Sequence, residues 1–144
     1  MSHMSRILPQ PAVQTVEDVV FELEAAGRTL AALPARGCRP AGFGSGWPAV
    51  VHEYVEAQDD APLRAPVPTA RAIDHLDVVM SWAALIQRPV VRRIVFTRSL
   101  IHPVTDRHLY SWRRIGRLIG ADHRSVQLWH GQGVAAILAA LTAR

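Results

Sequence analysis

Residues 111–129 read Ser111-Trp112-Arg113-Arg114-Ile115-Gly116-Arg117-Leu118-Ile119-Gly120-Ala121-Asp122-His123-Arg124-Ser125-Val126-Gln127-Leu128-Trp129. Ser111 is an N-cap residue by type, since its hydroxyl can accept from the free backbone donors of a helix that starts after it. Ile115 and Ile119 lie one turn apart and form that helix's inner face. Gly116 offers a small surface where a second helix crosses closely. Gly120 falls where the chain has to turn, because glycine takes a positive φ without strain. Asp122 then caps a second helix whose inner face carries Val126 and Trp129, three residues apart. The segment predicts a short helix, a tight turn and a second helix.

The order of apolar, small and free positions is the spacing of a DNA-binding helix-turn-helix. The outward residues carry its chemistry. On the second helix His123, Arg124, Gln127 and His130 are expected to lie outside the Val126 and Trp129 stripe. Arg grips guanine O6 and N7 with two hydrogen bonds and Gln does the same for adenine N6 and N7, each pair giving roughly 1–3 kcal/mol of discrimination. Arg124 and Gln127 are therefore the expected readers. Arg113, Arg114 and Arg117 on the first helix are placed for phosphates, which give affinity without base choice. Trp112 is expected to pack on the Tyr110 side of the core.

Charge is distributed in a way that agrees with this segment. The chain has 144 residues and a net charge of +4, and all 16 basic residues are Arg. Residues 1–61 hold four Arg and eight acids, a balance of −4, whereas residues 88–144 hold ten Arg and two acids, a balance of +8. A basic C-terminal part rich in Arg suits an anionic partner with phosphates or guanines.

Outward from 111–129 the periodicity is helical, so the expected class is an all-α, compact multi-helix domain with a C-terminal helix-turn-helix at 111–130. Thr15 and Asp18 predict the start of a first helix with Val16, Val19, Val20, Leu23, Ala26, Leu30 and Leu33 on one face, Glu17, Glu22 and Glu24 on the wet face, and Pro34 as its stop. Residues 34–48 have a loop composition, and Trp47-Pro48 opens a short helix to about Ala57. Thr69 caps a helix with Ile73, Leu76, Val79, Met80, Ala83 and Ile86 inward and Arg71, Asp74 and Asp77 outward. Pro89 starts another, and residues 103–109 turn. Gly131 and Gly133 predict a kink or an end of the second helix of the pair, with Val134, Ile137, Leu138 and Leu141 forming a final apolar seam that is either core or a dimer contact, core ahead. The domain reading is a disordered or tag-derived N-terminus over 1–14, an acidic helical part over 15–57, a linker over 58–68 and a basic helical part over 69–144.

The chain resembles a small helix-turn-helix family of unknown function found in bacteria and their phages. The resemblance is carried by Leu30-Ala31-Ala32-Leu33-Pro34, Trp47-Pro48, Pro68-Thr69, Ile73-Asp74, Trp82, the Arg93–Arg98 stretch and Trp112-Arg113-Arg114-Ile115. The helix pair also looks like the promoter-reading region of sigma factors and the DNA-binding end of phage small terminase subunits. What the resemblance implies is double-stranded DNA as partner.

Other chemistry is poorly supplied. Asp74 with Asp77 and Glu53 with Glu56 are single-turn carboxylate pairs that read as solvated faces, and no His or Cys cluster has zinc spacing, so no metal or cofactor is expected. Gly42-Phe43-Gly44-Ser45-Gly46 lacks the Lys and hydroxyl ending of a phosphate loop. The lone Cys38 suggests neither a disulfide nor a nucleophile. No apolar run is long enough for a membrane span and no signal peptide is evident, so a cytoplasmic location is expected. The expectation is a non-enzymatic, sequence-specific DNA-binding regulator acting as a homodimer or larger homo-oligomer. The alternatives are a packaging component that works with a terminase large subunit, and a module that docks RNA polymerase.

Overall fold

A computed structural model of the chain describes residues 10–33 and 66–143. The expected loop over 34–48, the short helix to Ala57 and most of the expected linker lie outside the described residues. Among those described, the fold is all-helical: α1 (Val16–Ala32), α2 (Ala70–Ser81) with a 3-10 turn over Trp82–Leu85, α3 (Pro89–Arg98), α4 (Trp112–Ile119) and α5 (His123–Thr142). The expected fold class is what the structure has.

Local chemistry sets each helix start. Thr15 and Asp18 form a capping box in which Thr15 Oγ1 accepts from the Asp18 N–H at 3.2 Å and Asp18 Oδ2 accepts from the N–H groups of Thr15 and Gln14 at 2.9 and 3.0 Å. These donors hold the Asp18 carboxyl below the usual carboxylate range. Thr69 Oγ1 accepts from the Ala72 N–H at 3.1 Å, and Pro89 occupies the first turn of α3, where its missing N–H costs nothing.

The apolar faces so positioned make one core. Val19, Leu23, Ala26 and Leu30 of α1 meet Leu76, Val79 and Trp82, and Ile94 and Val95 of α3 meet Val134 and Ile137 of α5. Leu138 and Leu141 pack partly buried against the same core, which makes the final seam interior. The acidic first helix and the basic C-terminal helices thus share one interior. Ahead of α1, Val13 packs partly buried on this core, and Trp82 Nε1 donates to Oε1 of the exposed Gln10 at 3.2 Å.

Three sequence expectations change. Glu22 and Glu24 do not sit on a wet face: Glu22 lies 2.5 Å from His75 Nε2 of α2, and Glu24 lies 3.6 Å from His108 Nε2. Asp74 and Asp77 are half-buried, and burial together with the neighbouring Asp74 charge raises the Asp77 carboxyl above its ordinary value. Helix α5 runs unbroken through both glycines. A Cβ on Gly133 would stand 2.6 Å from Val95 Cγ2 and 2.8 Å from Val91 Cγ1, so Gly133 marks the close crossing of α5 on α3 rather than a kink.

Between α3 and α4 the chain reverses through a bridge of Ile101 with His108 and a turn in which Asp106 takes φ 57°. Arg28 Nε donates to Asp106 Oδ1 at 2.7 Å and ties this turn to α1. The return delivers Ser111 to the start of α4.

Candidate nucleic-acid interface

The α4–α5 unit is built as its residues predict. Ser111 Oγ accepts from the Arg114 N–H at 3.1 Å, and Asp122 Oδ2 accepts from the Arg124 N–H at 3.2 Å. Gly120 ends α4 with φ 75° and ψ 34°, and the N–H groups of Gly120 and Ala121 both donate to the Gly116 carbonyl. This left-handed cap turns the chain through three residues into α5. Ile115 and Val126 are buried, and Ile119 and Trp129 pack partly buried behind them. Gly116 serves a neighbour other than the expected one. A Cβ there would lie 2.5 Å from the Ala121 carbonyl oxygen, so the small residue makes room for the backbone of the turn itself.

The outward face is basic. Arg113, Arg114, Arg117, Arg124 and Gln127 are exposed, and His123 is half-buried with Nδ1 3.3 Å from Asp122 Oδ1. Arg113 and Arg117 line an open cleft of about 640 Å³ together with Gly116, Gly120, Ala121, Asp122 and His123. The cleft therefore follows the turn between the helices, with guanidinium groups on the α4 side. Arg114 stacks on the buried Tyr110, its Cζ 4.6 Å from the ring centroid, which holds that side chain in place while its charge stays at the surface. Leu118 and Leu128 add exposed apolar surface to the same two helices.

His130 departs from its expected place. Its ring is half-buried and meets the Trp112 ring edge-on with centroids 5.0 Å apart, so it faces α4 and the core rather than the outward side of α5. Four residues after the buried Val126, it falls on the inner side of the helix once a neighbouring ring is there to receive it. Trp112 packs partly buried on the core that holds Tyr110, against His130 and under the Arg98 guanidinium, whose Cζ is 4.2 Å from the ring centroid. Arg98 also donates from Nη1 to the Tyr110 carbonyl at 3.0 Å, and burial lowers its pKa. Sequence reading missed Arg98 as a residue that seats the helix pair. Its partners are more than ten residues away, and no local spacing announces them.

Burial, with the positive charges of Arg98 and His108 adding to it, lowers His130 to about 4. The folded value lies below the unfolded one of about 6.5, so protons favour the unfolded chain and the contribution to stability is lost as pH falls from about 6.5 to about 4. At about 1.4 kcal/mol per unit this approaches 3 kcal/mol at the acid end. His130→Phe, which keeps a ring against Trp112, is expected to flatten the fall of melting temperature over that interval. An unchanged slope in the variant would show that His130 is not the group responsible.

The fold and site define a class, an all-helical domain that presents arginines on a short helix, a left-handed turn and a longer helix. The chain belongs to the family described as Domain of unknown function (DUF6362), whose model matches residues 31–137. No curated protein and no solved structure matches it. The matched span includes α4 and most of α5. Among the described residues no helix is long and apolar enough to cross a membrane, and no group of three or more His, Cys, Asp or Glu is placed to hold a metal.

Proposed function

We propose that this protein binds double-stranded DNA through α4 and α5, with α5 lying in the major groove and α4 over the backbone, and that it acts as a sequence-specific regulator of transcription. The observation that carries the reading is the exposed set Arg113, Arg114, Arg117 and Arg124 on two capped helices joined by the Gly120 turn. Four Arg against the single acid Asp122 give residues 111–130 a balance of +3. Asp122 is engaged with the Arg124 N–H and His123, so it is tied into the start of α5. A reading helix contacts base edges with its N-terminal residues, and Arg124 and Gln127 stand in the first turns of α5. His123 and Arg114 flank them at the surface.

The roles separate by experiment. After selection of a preferred duplex from a random pool, Arg124→Ala is expected to weaken binding to it by roughly 1–3 kcal/mol and to relax choice at one position. Arg113→Ala is expected to weaken preferred and unrelated duplexes alike and to reduce the salt slope by about one contact. Identical behaviour of the two variants, measured by titration on both duplexes, would remove the division between reader and phosphate contact. His130, turned inward, is expected to contribute through the seating of α5 and not through a base.

A further inference from the structure

A second and smaller cavity, of about 120 Å³ and partly open to solvent, is lined by residues of α1, α3, the α3–α4 turn, α4 and α5. Its volume is the share of about four waters in the liquid. The groups that face it come from every one of those elements: Glu24 and Leu23 from α1, Arg98 from α3, His108 from the turn, Trp112 from α4 and His130 from α5. Three are basic and one is acidic.

Their hydrogen bonds leave donor capacity unused. Arg98 uses Nη1 on the Tyr110 carbonyl and lays its guanidinium plane near the Trp112 ring, and its other nitrogens have no hydrogen-bond partner among the described residues. His108 Nδ1 is 3.0 Å from the Arg98 carbonyl oxygen, which makes Nδ1 the protonated nitrogen and turns Nε2 toward the Glu24 side. Neither ring nitrogen of His130 has a hydrogen-bond partner among the described residues. A guanidinium and an imidazole with open donors, walled by an indole and aliphatic side chains, form a small polar pocket in a setting where charge is poorly solvated.

We propose that this cavity binds a small oxyanion, a carboxylate or a phosphate, held by the Arg98 guanidinium and a His130 imidazolium. Arg98 supplies the fixed charge and a planar set of donors suited to two oxygens. Glu24 lines the same cavity, 3.6 Å from His108 Nε2, and its charge acts on Arg98 as well, so the anion shares Arg98 with Glu24 and has His130 as its other partner. Because Trp112 opens α4 and His130 belongs to α5, the anion would join α3 to both helices of the candidate interface, and its presence would bear on how they are seated. The binding itself does not rest on the DNA reading and can stand if that reading fails.

An anion within contact of His130 favours its charged form, and an opposite charge at such range raises a pKa by about 1–3 units. Binding therefore takes up a proton. Affinity is expected to rise by up to about tenfold per pH unit below the bound-state value and to level off above it.

The test is a titration of the ¹⁵N-labelled full chain with sodium acetate and, separately, sodium phosphate, with chloride holding ionic strength constant, at about pH 5.5 and 7.5 on either side of the ordinary His value. The His130 and His108 imidazole and Trp112 indole resonances are followed. The proposal expects saturable shifts at all three, tighter binding at the lower pH, and loss of saturation in Arg98→Gln. Saturation by acetate alone assigns a carboxylate, by phosphate alone a phosphate. If Arg98→Gln does not fold, His130→Phe serves, with His108 and Trp112 as reporters and the same loss expected. Shifts that grow linearly with salt, match those in chloride, or persist in the folded variant would overturn it.

Discussion

Gly27→Val is expected to destabilise the protein by about 3 kcal/mol or more, lowering its melting temperature by on the order of 10 °C. Even the first added atom has no place: a Cβ on Gly27 would stand 1.9 Å from the Ser99 carbonyl oxygen and 2.6 Å from its carbon. Those atoms are backbone, the C-terminal cap of α3, and they cannot rotate aside as a side chain can. Ser99 is further fixed by its own hydroxyl, which donates to the Val95 carbonyl at 2.7 Å. The strain therefore has to move α1 away from α3 and open the core around Leu23, Leu30 and Ile94. Gly131→Ala is the matched control, since nothing lies within 4 Å of its Cβ position and α5 is continuous there. It is expected to stabilise by about 1 kcal/mol through helix propensity alone. Thermal or urea unfolding of the two variants checks both signs, and equal effects would contradict the packing described for Gly27.

The second large effect concerns charge. Changing Arg113, Arg117 and Arg124 together to Ala is expected to lower affinity for duplex DNA at least 100-fold at low salt, because the Arg113 and Arg117 phosphate contacts take about two released counterions with them and Arg124 takes its base contact. All three side chains are exposed, and no hydrogen bond ties Arg113 or Arg117 to the core among the described residues. The triple variant is therefore expected to melt within about 0.5 kcal/mol of the parent, as surface substitutions generally do. A variant that binds DNA as well as the parent would remove the α4–α5 face as the site.

What the sequence made legible was local. Ser111, Gly120 and Asp122 act within four residues of themselves, through caps and a left-handed turn, and each does in the structure what its type predicts. The Thr15 and Asp18 box and the Pro89 start are legible for the same reason. What was hidden depends on partners far along the chain. Glu22 leaves the wet face because His75, 53 residues away, receives it, and Gly27 is small because the end of α3 passes against it. Gly133 looked like a helix breaker because its cost is visible in sequence and its reward, contact with Val91 and Val95, is not. His130 falls outside the Val126 and Trp129 stripe in sequence, although an imidazole is flat and partly apolar and packs edge-on with Trp112. The pocket around Arg98 gathers residues from five segments and has no linear signature at all.

The most direct test of the central claim is fluorescence anisotropy of the full chain with pooled random duplex DNA at about 50 and 200 mM salt. With the three phosphate contacts of Arg113, Arg114 and Arg117, the proposed interface predicts binding at the lower salt and a loss of about 40-fold at the higher. Absence of binding at the lower salt, or an affinity indifferent to salt, would contradict it.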